Sequence, residues 1–328
     1  MRILVTGVTG FIGSVLARTL LREGHEVSAI VRHVTGRDFR PIEDIRRELA
    51  LLTCDITSYS SVRNALRSAE PDAVLHLAAL SPVRLSFEHP LDYQQQNYLG
   101  TVHVAEGLMD LYGPHQVRLV SASTAEVYGI QGYKPFVESL PLSPSSPYAV
   151  SKAAADMYLR MLHTVHGFNC LILRNANTFG RKHDSGFFTE YVITAMLRNE
   201  DVYVGAPESI RGYSYVEDHV KAYELAMVVR EAAGEVFNIG GSIGYTNREW
   251  ALKIAEICDY DPHRIHFGQY PPGYPSRPLA SDQPYLVLDT SKAARELGWT
   301  PSVQPEEGLR RTVEYWRAAS RTDALQQQ

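Results

Sequence analysis

Tyr148 and Lys152 stand four residues apart in Tyr148-Ala149-Val150-Ser151-Lys152, so on a helix they share one face. A phenol beside an ammonium is proton-transfer chemistry. The cation lowers a pKa of about 10 and makes the tyrosine a usable base. Ser145-Ser146-Pro147 precedes the pair and predicts a helix start with proline at its first position and Tyr148 in the first turn. The positive end of that helix also favours the phenolate. A second group of residues suits phosphate: Thr6-Gly7-Val8-Thr9-Gly10-Phe11-Ile12-Gly13 follows the apolar run Arg2–Val5. Gly7 permits the tight strand-to-helix turn, Gly10 lets a pyrophosphate approach the backbone, and Gly13 lets the helix pack closely on the strand. Thr9, Phe11 and Ile12 complete the turn, whose free N–H groups face the phosphates. Following a strand and opening a helix, the pattern predicts a dinucleotide site.

These residues need a scaffold. Strand-like runs at Arg2–Val5, Glu26–Val31, Ala50–Thr53, Ala73–Leu77, Val117–Ser121 and Asn169–Leu173 alternate with helix-like segments at Phe11–Glu23, Ser60–Ser68, Leu91–Leu111 and Tyr148–His166. The alternation predicts an α/β fold: a Rossmann-type, doubly wound parallel sheet with its ligand at the carboxyl ends of the strands. Residues 1–173 would form this domain, with returns near 213–238. Residues 174–320 would mainly form a smaller, interwoven substrate domain, and 321–328 a disordered polar tail.

The choice of dinucleotide turns on the end of the second strand, where a carboxylate would bind the adenosine ribose. The chain reads Ile30-Val31-Arg32-His33 there, with Arg37 close by. Arginine pairs with a 2′-phosphate and stacks on adenine, which favours NADP over NAD, though both arginines also fit as solvated loop cations. Asp55, in Cys54-Asp55-Ile56 after the third strand, suits the adenine amino group and equally a helix cap. His76-Leu77-Ala78-Ala79 places small residues where backbone passes a flat cofactor; His76 itself reads as a core histidine.

Bulk properties exclude several classes. The 328 residues carry a net charge of −5, which offers no footprint for nucleic acid. The 12 histidines form no ligand-spaced cluster, so no metal is expected. Cys54, Cys170 and Cys258 are few and far apart, as in reduced cytoplasmic proteins. No apolar run reaches membrane-spanning length.

At Ser123-Thr124-Ala125-Glu126-Val127-Tyr128-Gly129 the chain resembles the extended short-chain dehydrogenase/reductases, specifically the nucleotide-sugar epimerase/dehydratase family. The likeness spans about residues 1–316 and rests on T-G-x-T-G-F-I-G, H-L-A-A, S-x-x-E-V-Y-G, S-P-Y-x-x-S-K and the Asp289–Trp299 segment ending L-G-W. It implies that Thr124 and Tyr148 hold a sugar 4-hydroxyl, Lys152 binds the nicotinamide ribose, and Asn97 supports the active-site helix. Asn177, Arg211 and Arg277 would bind the substrate diphosphate, with Ser81 and Arg84 beside the sugar. Lys182, His183, Phe187 and Phe188 are further pocket candidates.

Glu126 sorts the reactions that the resemblance allows. Epimerases commonly carry a small or hydroxyl residue there, whereas 4,6-dehydratases use a glutamate to remove the C5 proton. Thymidine-diphosphate-glucose dehydratases add an aspartate where this chain has Ala125, so the T-x-E pattern looks more like the GDP-mannose dehydratase branch. Ser86-Phe87-Glu88-His89-Pro90 and Arg32 agree, while the short chain and the missing arginine-rich stretch after Asn177 do not. A 4-keto-6-deoxyhexose reductase, a 4-epimerase, a non-catalytic NADP-binding sensor and an idle, solvated Glu126 remain open. The apolar Val102, Val104, Leu108, Leu111, Met157, Leu159 and Leu162 exceed what one sheet face needs. In this family such helices form a homodimeric four-helix bundle.

Overall fold

The structure, a computed structural model, describes residues 1–33, 39–271, 278 and 281–326, with side chains through residue 320. Arg37 and Arg277 lie outside the described residues.

Strands that are apolar on both faces must be covered on both, and the first strand shows how. In β1 (Arg2–Thr6), Ile3 and Val5 pack with Leu16 and Leu20 of helix α1 (Phe11–Arg22), while Leu4 faces the opposite layer with Val62, Leu108 and Leu159. Continuous Val/Ile/Leu runs of this kind belong to parallel sheets buried between helices. Strands β2 (Glu26–Val31), β3 (Ala50–Thr53), β4 (Ala73–His76), β5 (Arg118–Thr124) and β6 (Cys170–Asn175) follow. Helices α2 (Tyr59–Ala69), α3 (Leu85–Glu88), α4 (Pro90–Tyr93), α5 (Gly100–Tyr112) and α6 (Pro147–His166) connect them. With β10 (Val236–Ile239) at the far edge, the sheet runs β10-β6-β5-β4-β1-β2-β3, parallel throughout. The order reverses between β1 and β4, which opens a crevice beyond Thr6 and His76.

Leu91–Leu111 is not one helix. Gln94–Leu99 forms a π-helical turn between α4 and α5. The cause is Asn97, whose amide exchanges two hydrogen bonds with the Leu80 backbone and donates to Ser151 Oγ at 3.0 Å. A widened turn lets that short side chain reach across a buried gap.

The remaining strands are β7 (Asn177–Phe179), β8 (Val202–Val204), β9 (Ile210–Tyr215), β11 (Gly244–Thr246), β12 (Ile265–Phe267) and β13 (Tyr285–Leu286). They form a β11-β9-β13 sheet joined by β7, and a β8–β12 pair. Helices α7 (Phe188–Leu197), α8 (Val216–Val228), α9 (Asn247–Cys258), α10 (Ser291–Glu296) and α11 (Pro305–Gln326) complete the chain. Trp250 anchors the smaller core, stacked on Tyr213 with ring centroids 4.1 Å apart. Helix α11 runs on to Gln326, where a frayed tail from Arg321 is expected from composition. Among the described residues no helix is long and apolar enough to cross a membrane.

Candidate active site

The glycine turn is shaped by close approach. Gly7 has φ +77°, and a Cβ there would lie 2.8 Å from the Ala78 backbone nitrogen. A Cβ on Gly13 would lie 2.2 Å from the Gly7 carbonyl oxygen, so α1 reaches the strand only because Gly13 has no side chain. Gly10 caps α1 without a side-chain hydrogen bond, and the first turn holds no acid. Those N–H groups are therefore directed at a ligand. A cavity of about 260 Å³ opens beside the turn, lined by Gly7, Arg32, Ile56, Leu77, Ala78 and Ala79. A larger one of about 770 Å³ passes Thr9, Gly10, Phe11, Ser81 and Arg181. This cradle fits a dinucleotide.

Arg32 lies past the end of β2, exposed, with its guanidinium donating to Gln96 Oε1. Asp55 serves its own backbone: Oδ1 accepts the Thr57 N–H and hydroxyl, both at 2.9 Å. The helix cap expected of Asp55 falls instead to Ser58, three residues later. His76 is fully buried between Thr6 Oγ1 at 2.8 Å and Thr101 Oγ1 at 3.1 Å. Thr6 already accepts from the Leu77 and Ala78 N–H groups, so its own proton goes to Nδ1. His76 Nε2–H then donates to Thr101, which donates to the Asn97 carbonyl at 2.7 Å. Burial lowers the His76 pKa to about 3, so the ring is a neutral spacer.

That spacer ends at α6. Asn97 holds Ser151, whose hydroxyl donates to the Tyr148 carbonyl at 2.7 Å. The helix begins at Ser146, which accepts the Ala149 N–H at 3.1 Å, with Pro147 next. Tyr148, Lys152 and Thr124 converge, all at most 9% exposed. Burial pushes the Tyr148 hydroxyl up to about 12; the Thr124 hydrogen bond opposes this, Glu126 adds to it, and Arg181 opposes it. Arg181 is thus a cation that favours the phenolate. The Lys152 ammonium donates instead to the Ala122 carbonyl at 2.7 Å, and burial brings it down to about 8.

Glu126 sits in a 3₁₀ turn immediately after β5, its N–H donating to Thr124 Oγ1 at 3.2 Å. Its Oε2 accepts from Gln283 Nε2 at 3.0 Å, so the carboxylate is held by the fold rather than left to solvent. Ala125 is fully buried and offers no acid. In the smaller sheet, Asn177 lies two residues from Arg211 in the β7–β9 register, and its Oδ1 is buried without a hydrogen-bond partner among the described residues. Arg211 is 9% exposed, bonded to the Ile210 carbonyl and 3.7 Å from Asp282. Ser81 lines the larger cavity, whereas Arg84 precedes α3 and lines neither cavity. Lys182, His183 and Phe187 line the larger one; Phe188 packs against the smaller core instead.

Sequence reasoning missed Arg181 and Gln283. Arg181 lies between the rings of Phe187 and Phe11, 3.3 and 4.5 Å from their centroids. Its only signal is proximity to Asn177 in Asn177-Thr178-Phe179-Gly180-Arg181. Gln283 carries no local signal, because its partner Glu126 is 157 residues away.

Known proteins are similar to this chain over nearly its whole length. The family model for GDP-mannose 4,6 dehydratase matches residues 4–312. A probable dTDP-glucose 4,6-dehydratase of Sinorhizobium fredii is 33% identical over 96% of this chain and 93% of its own. The UDP-glucose 4-epimerase of Mycolicibacterium smegmatis is 30% identical over 98% of this chain and 100% of its own. Among solved structures, the UDP-glucose 4-epimerase of Thermotoga maritima with UDP-glucose superposes with a TM-score of 0.87 at 30% identity, covering 98% of this chain and 100% of that one. The dTDP-glucose 4,6-dehydratase of Streptomyces venezuelae, solved with NAD, gives 0.86 at 29% identity over 97% of each chain. A likeness running unbroken through the parallel sheet and the substrate-side strands shows that this chain belongs to the GDP-mannose 4,6 dehydratase family, among the nucleotide-sugar dehydratases and epimerases of the extended short-chain dehydrogenase/reductases.

Proposed function

We propose that this enzyme is an NADP-dependent 4,6-dehydratase of a nucleotide-diphosphate hexose. The observation that carries the reading is the Glu126 carboxylate, held by Gln283 and electrostatically coupled to Tyr148. Tyr148 takes the proton of the sugar 4-hydroxyl, with Thr124 hydrogen-bonded to the same oxygen pair. The bound nicotinamide supplies the acceptor, and later the donor, of a hydride. An unactivated C5–H is far too weak an acid for a carboxylate, but a ketone at C4 acidifies it. Glu126 then removes the C5 proton and, since Ala125 provides no second acid, returns a proton to the departing C6 hydroxyl. Asn177 and Arg211 hold the diphosphate, Arg211 through its planar fork.

Gly7, Gly10, Leu77, Ala78 and Ala79 would hold the dinucleotide, with Lys152 at the ribose. Arg32, in place of a carboxylate, supports a 2′-phosphate; NAD is the competing reading, because the Streptomyces venezuelae neighbour was solved with it. Paired titrations with NADP⁺ and NAD⁺ decide between them.

Replacing Glu126→Gln is expected to slow formation of the 4-keto-6-deoxy product about 10²–10⁴-fold, the usual contribution of a positioned base. Product at the parent rate sinks the dehydratase reading. A 4-epimerase is the second reading, supported by the likeness to the Thermotoga maritima enzyme; it would yield a sugar inverted at C4 in the same assay.

A homodimer through α6 belongs to the same proposal. Val104, Leu108, Leu159 and Leu162 are buried in the chain's own core, but Val150, Met157, Met161 and Val165 are exposed along one face. Their spacing of seven, four and four residues makes a stripe able to pair with a second copy.

A further inference from the structure

Gln283 comes from the segment before β13, far from the sheet that carries the base, yet it is fully buried. Its Nε2 donates to Glu126 Oε2 at 3.0 Å and to the Glu126 carbonyl at 3.4 Å. The first bond orients the carboxylate, and the second ties the amide to the main chain beside it. The other end of the amide behaves differently: Oε1 is buried and has no hydrogen-bond partner among the described residues. Buried acceptors are rarely left unpaired, and an orphan beside a base calls for a donor from outside the chain. A hexose offers hydroxyl donors. The backbone agrees, since β13 pairs with β9 so that Leu286 lies opposite Arg211, and Asp282 is 3.7 Å from the Arg211 guanidinium. One short segment therefore spans the diphosphate side and the base side.

We propose that Gln283 positions Glu126 through its NH₂ group while its carbonyl accepts a hydrogen bond from a hydroxyl of the hexose, so that seating the sugar and aligning the base are one event. The proposal rests on the dehydratase reading for the role of Glu126, but its sugar contact does not.

Two readouts separate these. In calorimetry, UDP-glucose, dTDP-glucose and GDP-mannose are each compared with their own nucleoside diphosphate, and the tightest pair is carried forward. Gln283→Leu is expected to weaken the sugar nucleotide about tenfold, the value of one buried hydrogen bond, and to leave the nucleoside diphosphate unchanged. Equal affinities for the sugar nucleotide in parent and variant overturn the contact. In solvent deuterium, the variant is expected to lose C5 exchange about 10²-fold, as misplaced reacting groups do. Absorbance of the reduced nicotinamide should show C4 oxidation continuing within about threefold, since the misplaced base acts only after that step. Loss of both steps together marks a merely structural residue and overturns the positioning role, as does undiminished exchange. A parent enzyme with no C5 exchange at all instead defeats the dehydratase reading. Gln283→Met, of matching length, replaces the leucine variant if that one melts early.

Discussion

Two buried polar clusters both draw on α6 and are finished in opposite ways. In the first, Arg174 and Asp156 are 1% and 0% exposed and meet in a fork, Nε to Oδ2 at 2.9 Å and Nη2 to Oδ1 at 3.0 Å. Ser123 donates to Asp156, Arg174 donates to the Tyr128 hydroxyl, and Tyr128 donates to Asn238. Asn238 in turn donates to the Phe136 and Asp289 carbonyls. Every member has its partner inside the chain. In the second cluster, around Tyr148 and Glu126, Arg181 Nε, Gln283 Oε1 and Asn177 Oδ1 are buried and unpaired. Completed networks rigidify a fold, whereas incomplete ones are tolerated where something else supplies the missing partner. The Arg174 cluster is the frame, and the Tyr148 cluster is shaped for a ligand.

Breaking the frame should do the most damage. Asp156→Ala leaves a buried guanidinium unpaired and is expected to destabilise the protein by about 3–5 kcal/mol, read as the denaturant midpoint; a change below about 1 kcal/mol would erase the distinction. Tyr148→Phe should reverse the pattern. We expect product formation to fall about 10²–10⁴-fold, with a melting temperature within a few degrees of the parent. A large loss of stability with little loss of rate would place Tyr148 in the frame instead.

The smallest effect sharpens the comparison through pH. His76 and His219 are buried, and desolvation lowers both to about 3, while the unfolded chain protonates histidine near about 6.5. Their contribution is therefore complete above about pH 6.5 and is lost as pH falls through the window down to about 3. Each should remove about 1.4 kcal/mol per pH unit, visible in denaturation curves taken between about pH 6 and pH 4. Stability that is flat across that interval would mean that neither ring is held neutral.

Much of this was legible because it is local. The glycine turn, the capped start of α6 and the Tyr148–Lys152 spacing depend on neighbours a few residues away. So does the continuous apolar character of β1, which predicts burial on both faces. The break in Leu91–Leu111 was not legible, because it is imposed by Asn97 reaching Leu80 and Ser151 on other elements. Likewise, a guanidinium that favours the Tyr148 phenolate comes from Arg181, 33 residues further along the chain. The apolar residues of α5 and α6 divide between core and surface in a way that only packing decides: Leu159 is buried and Met157 is exposed.

The amino-acid order by itself determined the parallel sheet, the glycine turn and the Tyr148–Lys152 spacing, since strand burial, glycine conformation and helix spacing are properties of short segments. Tertiary structure alone decided which charges those groups feel and which of their hydrogen bonds are left incomplete. Gln283 meets Glu126 across 157 residues of chain, and no periodicity reaches that far; only the folding of the smaller sheet against the larger one brings the amide to the carboxylate.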